Sequence, residues 1–206
     1  MIKNIIFDLG GVIITLDPQE AIRRFLEIGL KNAVKQLDSY TQTGIFGDLE
    51  RGKISDGQFR KEISLLANRE VSWNECRYAW LGYAREVPKR NLEILRKLRR
   101  EGYNLFLLSN TNPFMMSWVK SPNFDGEGGS IDDYMDRCYL SYEIGVMKPD
   151  EQFFHHVLTT EQLVPSETLF IDDGPANIAV ATRMGLVTMC PNNGEDWTRE
   201  IYKYLK

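Results

Sequence analysis

Between residues 87 and 190 the sequence alternates short apolar runs with longer segments of helical periodicity, and this alternation restricts the fold more than any other feature. The apolar runs predict strands at 103–108, 139–141, 168–171 and 186–190. The helical patterns predict helices at 89–101, 150–160 and 176–184. Strands that alternate with helices in this way pair in parallel. The sequence therefore predicts an α/β fold with a doubly wound parallel sheet.

The first strand is predicted at residues 4–8, and we expect it to resume at 12–14 after two glycines. From 18 to 84 the spacing of apolar residues is helical, with helix starts predicted at Asp17 and Ser55. We therefore expect residues 16–86 to form a small all-helical cap inserted after the first strand. Residues 1–15 and 87–206 would then form the α/β core.

Carboxylates follow two of the predicted strands. Asp8 ends the first strand, and Asp172 and Asp173 end the strand at 168–171. Ligands of such sheets bind outside the carboxyl ends of the strands, so these three groups are expected to meet there. Their mutual repulsion requires a cation, and hard oxygen ligands favour Mg²⁺.

Three further polar residues are expected at the same edge. Ser109 and Asn110 end the strand at 103–108, and Lys148 lies in a loop before the next helix. A fixed lysine and a hydroxyl donor stabilise developing negative charge on oxygen. Together with a metal and a carboxylate nucleophile, they suit phosphoryl transfer.

Four separated segments now carry a resemblance to a known family. They are FDLGGV (7–12), LLSNTN (107–112), GVMKPD (145–150) and FIDDGPAN (170–177). In this order, and each at the end of the right element, they resemble the motifs of the haloacid dehalogenase-like hydrolase superfamily. The resemblance spans nearly the whole chain and implies a Rossmann-like core with a helical cap.

The resemblance also implies roles for the residues. Asp8 would be the nucleophile that forms an aspartyl-phosphate, with Lys148 as its catalytic partner. Mg²⁺ would be held by Asp8, the backbone carbonyl of Gly10 and Asp173, with Asp172 adjacent. The phosphoryl group would be bound by Ser109, Asn110 and Lys148.

Gly10 departs from the family pattern, because phosphatases of the superfamily usually carry a second aspartate there as general acid and base. General acid–base catalysis is typically worth ~10²–10⁴-fold in rate, so its loss would reduce turnover without abolishing it. An anomeric sugar oxygen needs less protonation as it leaves. The DLGGV motif also resembles a bacterial subgroup that includes an α-D-glucose-1-phosphate phosphatase and, less closely, the phosphatase domain of soluble epoxide hydrolase.

The predicted function is Mg²⁺-dependent hydrolysis of a small phosphorylated metabolite, with a sugar phosphate as the expected substrate. Two alternatives are consistent with Gly10. One is a metal-independent 2-haloacid dehalogenase, which would leave Asp172 and Asp173 without a purpose. The other is a phosphate-binding protein with little turnover. Arg51, Lys53 and Trp80 are candidates for substrate contacts from the cap.

Composition limits the partners and the compartment. The net charge is −4 with 25 basic and 29 acidic residues, and no basic stripe points to nucleic acid. No apolar run approaches the roughly 18 residues of a membrane helix, and we expect neither a signal peptide nor a membrane partner. The three cysteines are scattered, which favours reduced thiols in a cytoplasmic protein.

Overall fold

The computed structural model describes residues 1–31 and 44–205. Its strands are β1 (Asn4–Phe7), β2 (Thr15–Leu16), β3 (Ala84–Glu86), β4 (Asn104–Ser109), β5 (Arg137–Leu140), β6 (Thr168–Ile171) and β7 (Val187–Met189). Its α-helices are α1 (Pro18–Glu27), α2 (Gly44–Glu50), α3 (Asp56–Ala67), α4 (Trp73–Trp80), α5 (Lys89–Arg100), α6 (Pro113–Val119), α7 (Ser141–Ile144), α8 (Glu151–Thr160) and α9 (Pro175–Arg183). Within the described ranges, none of these helices has the length and apolar character that a membrane crossing requires.

Five of the described strands form a parallel sheet in the order β5-β4-β1-β6-β7, with β1 at the centre. Successive side chains of a strand point to opposite faces, and both faces of this sheet are covered. Phe7 packs in a buried cluster with Leu95 of α5 and Trp197. Ile6 packs on the other face in a cluster that includes Phe154 of α8. The predicted α/β fold with a doubly wound parallel sheet is confirmed.

The expectation that the first strand resumes at 12–14 is wrong. The amides of Ile13 and Ile14 both donate to the Leu9 carbonyl at 2.9 Å, and Gly11 N–H donates to Ile14 O at 2.8 Å. The segment is therefore a tight turn. Its apolar side chains reflect burial in the core and not pairing in a sheet, since Val12, Ile13 and Ile14 are all nearly inaccessible.

The helical block packs around its own aromatic core. Phe25, Phe46, Phe59 and Trp80 are buried against one another with ring centroids 5.0–6.0 Å apart. Phe114 of α6 belongs to the same buried cluster, so the block rests on α6 of the α/β unit. Residues 32–43 of the predicted cap lie outside the described residues.

Two of the predicted helix starts in the cap are confirmed. The Asp17 side chain accepts from the Glu20 amide at the start of α1. Ser55 and Gln58 form a reciprocal capping box at the start of α3. Apart from Asp8, Asp17 is the carboxylate nearest to Gly10 in sequence, and its contact with the Glu20 amide gives it the role of a helix cap.

A short antiparallel ribbon joins the cap to the sheet. It consists of β2 and β3, which lie immediately before α1 and after α4. The insert is therefore helical between two short strands. The ribbon coincides with the predicted boundaries between core and cap, at residues 15 and 87. The division into these two domains stays a prediction.

Candidate active site

The carboxyl end of the central strand delivers Asp8 to the edge of the sheet. Phe7 is in register with Ile171 of β6, and the ladder continues one residue further, because Asp8 N–H donates to Ile171 O at 2.8 Å. Asp172 leaves β6 in the same way, with its amide bonded to the Met189 carbonyl at 3.2 Å. Both carboxylates are thus oriented by backbone that belongs to the sheet.

A buried lysine bridges these two carboxylates. Lys148 Nζ lies 2.8 Å from Asp8 Oδ1 and 2.6 Å from Asp172 Oδ2. Burial lowers the pKa of Lys148, but the charges of Asp172 and Asp8 together outweigh it and raise the pKa above its usual value. Lys148 is therefore a permanent cation at the base of the site.

The loop that carries Lys148 is held by Asn110. Asn110 Oδ1 accepts from Lys148 N–H at 2.8 Å, and Asn110 Nδ2 donates to the Lys148 carbonyl at 2.9 Å. This double contact fixes the backbone of Lys148 against the end of β4. It gives Asn110 a positioning role, while its predicted contact with phosphate stays a prediction.

Asp172 is saturated with hydrogen bonds. Its Oδ1 accepts from Gly174 N–H at 2.7 Å and from Asn177 Nδ2 at 2.9 Å, and its Oδ2 accepts from Lys148. The residue is completely buried. These contacts indicate that the role of Asp172 is to orient Lys148.

Asp173 lines the same cleft as Asp8. A Cβ added at Gly11 would lie 2.0 Å from Asp173 Oδ2, and Gly11 has a φ of +77°. The chain therefore passes directly against the Asp173 carboxylate at a position that requires glycine. Burial and the charge of Asp172 raise the pKa of Asp173 to about 6.

The donor chemistry of the site fits a divalent cation. Carboxylate oxygens of Asp8, Asp172 and Asp173 lie within 4.8 Å of one another. Burial and the two neighbouring carboxylates raise the pKa of Asp8 well above its usual value, although Lys148 opposes the rise. One lysine does not compensate three carboxylates, and a hard cation bound by their oxygens would relieve the repulsion.

The cap closes the cleft on the opposite side. Ser109 and Gly10 line the cavity with the charged groups, and the roof is formed by Leu16, Glu50, Trp80 and Tyr83 together with Met115 of α6. Trp80 borders the cavity, but its side chain is 1% exposed and packs in the aromatic core of the cap, so its contact with substrate stays a prediction. Lys53 instead pairs with Asp48 at 3.5 Å and, like Arg51, is not among the residues that line this cavity.

Gly10 presents no side chain to this cavity. A Cβ at Gly10 would lie 3.0 Å from Leu16 Cδ1, so the leucine fills the space beside it. An acid at this position would have to displace Leu16. The side chain that acts as general acid in the family pattern is therefore absent, and Leu16 occupies the space that it would need.

Residues 2–185 match the family model of the haloacid dehalogenase-like hydrolases. The chain belongs to this family.

Similar haloacid dehalogenase-like (HAD-like) hydrolases cover the whole chain. A D-ribitol-5-phosphate phosphatase from Bacteroides thetaiotaomicron is 47% identical over 201 residues, which span 98% of this chain and 97% of that enzyme. The structure of a HAD-like hydrolase from Porphyromonas gingivalis has a TM-score of 0.95 and 42% identity, and the match covers 100% of this chain and 98% of that one.

A HAD-family enzyme from Bacteroides thetaiotaomicron was solved as an aspartate-to-alanine variant with magnesium and inorganic phosphate. It has a TM-score of 0.89 and 36% identity, covering 98% of this chain and 99% of that one. The predicted family is thus confirmed, and the glucose-1-phosphate subgroup stays a prediction.

Four polar residues that line this HAD-like site are absent from the predicted site residues: Glu50, Tyr83, Thr111 and Asn177. Asn177 lies within the FIDDGPAN motif. Its place at the start of a helix, five residues after Asp172, could have indicated the hydrogen bond between the two side chains. Glu50 lies in the cap, and no motif connects it to the strand ends. Only the folded cap brings Glu50 to the same cavity as Asp8.

Proposed function

We propose that this chain is a Mg²⁺-dependent phosphatase that hydrolyses a small sugar phosphate or polyol phosphate. The observation that carries the proposal is the contact between Lys148 Nζ and Asp8 Oδ1, at 2.8 Å, at the end of the central strand. A carboxylate held by a rigid strand and a buried cation is oriented for in-line attack. The similarity to a D-ribitol-5-phosphate phosphatase supports the substrate class.

The reaction proceeds in two displacements at phosphorus. An Asp8 carboxylate oxygen forms a bond to phosphorus as the bond between phosphorus and the alcohol oxygen breaks, and the alcohol takes up a proton. Water then attacks the aspartyl-phosphate, loses a proton and releases inorganic phosphate, which restores Asp8. Lys148 and the Ser109 hydroxyl stabilise the negative charge on the phosphoryl oxygens in both steps.

Asp8, Asp173 and the backbone carbonyl of Gly10 are the groups that would hold Mg²⁺, with Asp172 adjacent. When bound, the ion supplies positive charge that favours the ionised carboxylates and the phosphoryl oxygens. Crystals of a 36% identical HAD-family enzyme with magnesium and phosphate support this choice. The crowding of three carboxylates argues against the metal-independent dehalogenase.

The test is phosphate release from a panel of phosphorylated metabolites that includes D-ribitol 5-phosphate and α-D-glucose 1-phosphate. We expect turnover with Mg²⁺, loss of turnover in EDTA, and loss in Asp8→Asn. Asp48→Asn, a substitution on the surface of the cap, is the matched control and keeps full activity.

Two results would contradict the proposal. Release of chloride from 2-chloropropionate in EDTA would indicate the dehalogenase. Binding of Mg²⁺ and BeF₃⁻ without hydrolysis of any phosphate ester would indicate a binding protein.

A further inference from the structure

Glu50 is a buried carboxyl group on the cap side of the active-site cavity. It is the last residue of α2, is 7% exposed, and lines the same cavity as Asp8, Lys148 and Asp173. Among residues 1–31 and 44–205, no cation forms an ion pair with Glu50. Within these residues, no ion pair explains the burial of this carboxyl group.

The neighbour of Glu50 on the core side is Asn112. Asn112 Oδ1 accepts from the amides of Phe114 and Met115 at 3.1 and 3.2 Å, so the start of α6 fixes the orientation of its amide. Its Nδ2 is buried and has no hydrogen-bond partner of normal geometry among the described residues, although the Asn112 side chain lowers the pKa of Glu50.

The other ionisable groups around the cavity already have tasks. Asp8 is the nucleophile, Lys148 is fixed between Asp8 and Asp172, and Asp173 faces the cation site. Tyr83 lines the cavity from the cap together with Glu50. Gly10 contributes no side chain, and the leaving group must nevertheless be protonated when it is a simple alkoxide.

We propose that Glu50 is the general acid and base of this phosphatase. In the first step, the protonated carboxyl of Glu50 donates its proton to the alcohol oxygen as that oxygen's bond to phosphorus breaks. In the second step, the Glu50 carboxylate accepts a proton from the water that attacks the aspartyl-phosphate. The cycle returns both groups to their starting states, and the assignment rests on the proposed phosphatase function.

Burial supports both roles of Glu50. Burial raises the pKa of Glu50 to about 7, against smaller opposing effects of Asn112 and Arg51. A group with a pKa near the working pH is present in both protonation states and exchanges protons efficiently.

The test compares two leaving groups in Glu50→Gln. p-Nitrophenolate is a weak base that leaves without protonation, whereas the alkoxide of D-ribitol 5-phosphate must be protonated. We expect Glu50→Gln to keep a rapid burst of one nitrophenol per enzyme, followed by slow turnover. Release of ribitol is expected to fall by ~10²–10⁴-fold from the first turnover onward.

The controls separate this proposal from the proposed function. Glu62→Gln, an exposed glutamate of α3, is expected to match the unmodified protein with both substrates. Glu50→Asp keeps the carboxyl and is expected to retain more ribitol release than Glu50→Gln. The nitrophenol burst also reports that the variant is folded.

Three outcomes would overturn the role of Glu50. They are an unchanged rate of ribitol release, an equal loss of the first turnover with both substrates, and a raised KM for D-ribitol 5-phosphate at unchanged kcat. The last result would make Glu50 a binding residue for hydroxyl groups. If the unmodified protein cleaves neither substrate with Mg²⁺, the proposed function itself fails.

Discussion

Glu50→Gln is expected to stabilise the folded protein at alkaline pH and to do so less at acid pH. The ordinary pKa of a glutamate is 4.5, and burial raises the pKa of Glu50 to about 7. One pKa unit corresponds to ~1.4 kcal/mol, so ionising Glu50 costs ~3 kcal/mol more in the folded protein than in the unfolded chain. Glutamine occupies the same space and carries no charge.

The sign follows from proton binding. Between pH 4.5 and pH 7 the folded protein holds the Glu50 proton and the unfolded chain loses it. The contribution of Glu50 to stability therefore falls as the pH rises through this window, and the full cost is present above it. The advantage of Glu50→Gln should grow by roughly 2–3 kcal/mol between pH 5 and pH 8.

The assay is urea unfolding of both proteins at pH 5 and pH 8 in EDTA, which removes any effect of bound metal. At each pH, the free energy of unfolding of the unmodified protein is subtracted from that of Glu50→Gln, so the contributions of all other groups cancel. The two differences are then compared. Glu62→Gln should show the same difference at both values. A difference for Glu50→Gln that does not change with pH would refute the claim that burial raises the pKa of Glu50.

Two further substitutions test the charged edge of the sheet. Lys148→Met should abolish phosphatase turnover and lower the free energy of unfolding in EDTA by ~3–5 kcal/mol, because Asp8 and Asp172 lose their buried cation; urea unfolding and the phosphate assay measure this, and unchanged stability would contradict it. Gly11→Ala should weaken Mg²⁺ binding in titration calorimetry, because its Cβ would lie 2.0 Å from Asp173 Oδ2 at a φ of +77°; unchanged affinity would contradict this prediction.

The carboxylates of the charged edge were predictable from sequence because Asp8 and Asp172 each follow a strand directly. The residues of a parallel sheet that come just after the strands meet at one edge whatever the rest of the chain does. The positions of Asp8 and Asp172 therefore follow from the strand assignment alone. Both carboxylates form ion pairs with Lys148.

The turn at 11–14 was not predictable from the same pattern. β-Branched apolar residues are favoured in strands. In this turn they are apolar because they are buried beneath α5 and the segment around Trp197. The Val12 carbonyl accepts from Asn91 Nδ2 at 2.9 Å and from Trp197 Nε1 at 2.8 Å. These two donors are 79 and 185 residues away along the chain, so no local pattern contains them.

Glu50 was hidden for a related reason. A single glutamate before Arg51 and Gly52 reads as an exposed helix end, which is the usual place of such a residue. Its burial depends on the packing of Phe46 and Leu49 inside the cap and on the contact of the cap with α6. That arrangement is a property of the tertiary fold and has no signature in the neighbouring residues.

The ribbon of β2 and β3 separates two kinds of evolutionary change. Both passages of the chain between sheet and cap run through it, and Asn193 anchors it to the core through hydrogen bonds to the Leu16 amide at 2.8 Å and carbonyl at 3.0 Å. Under the proposed function, the cap side of the ribbon meets the organic part of a substrate and supplies Glu50, whereas the strand ends supply Asp8 and Asp173. Substitutions in the cap would therefore change substrate specificity and proton transfer without moving the groups proposed to act on phosphorus.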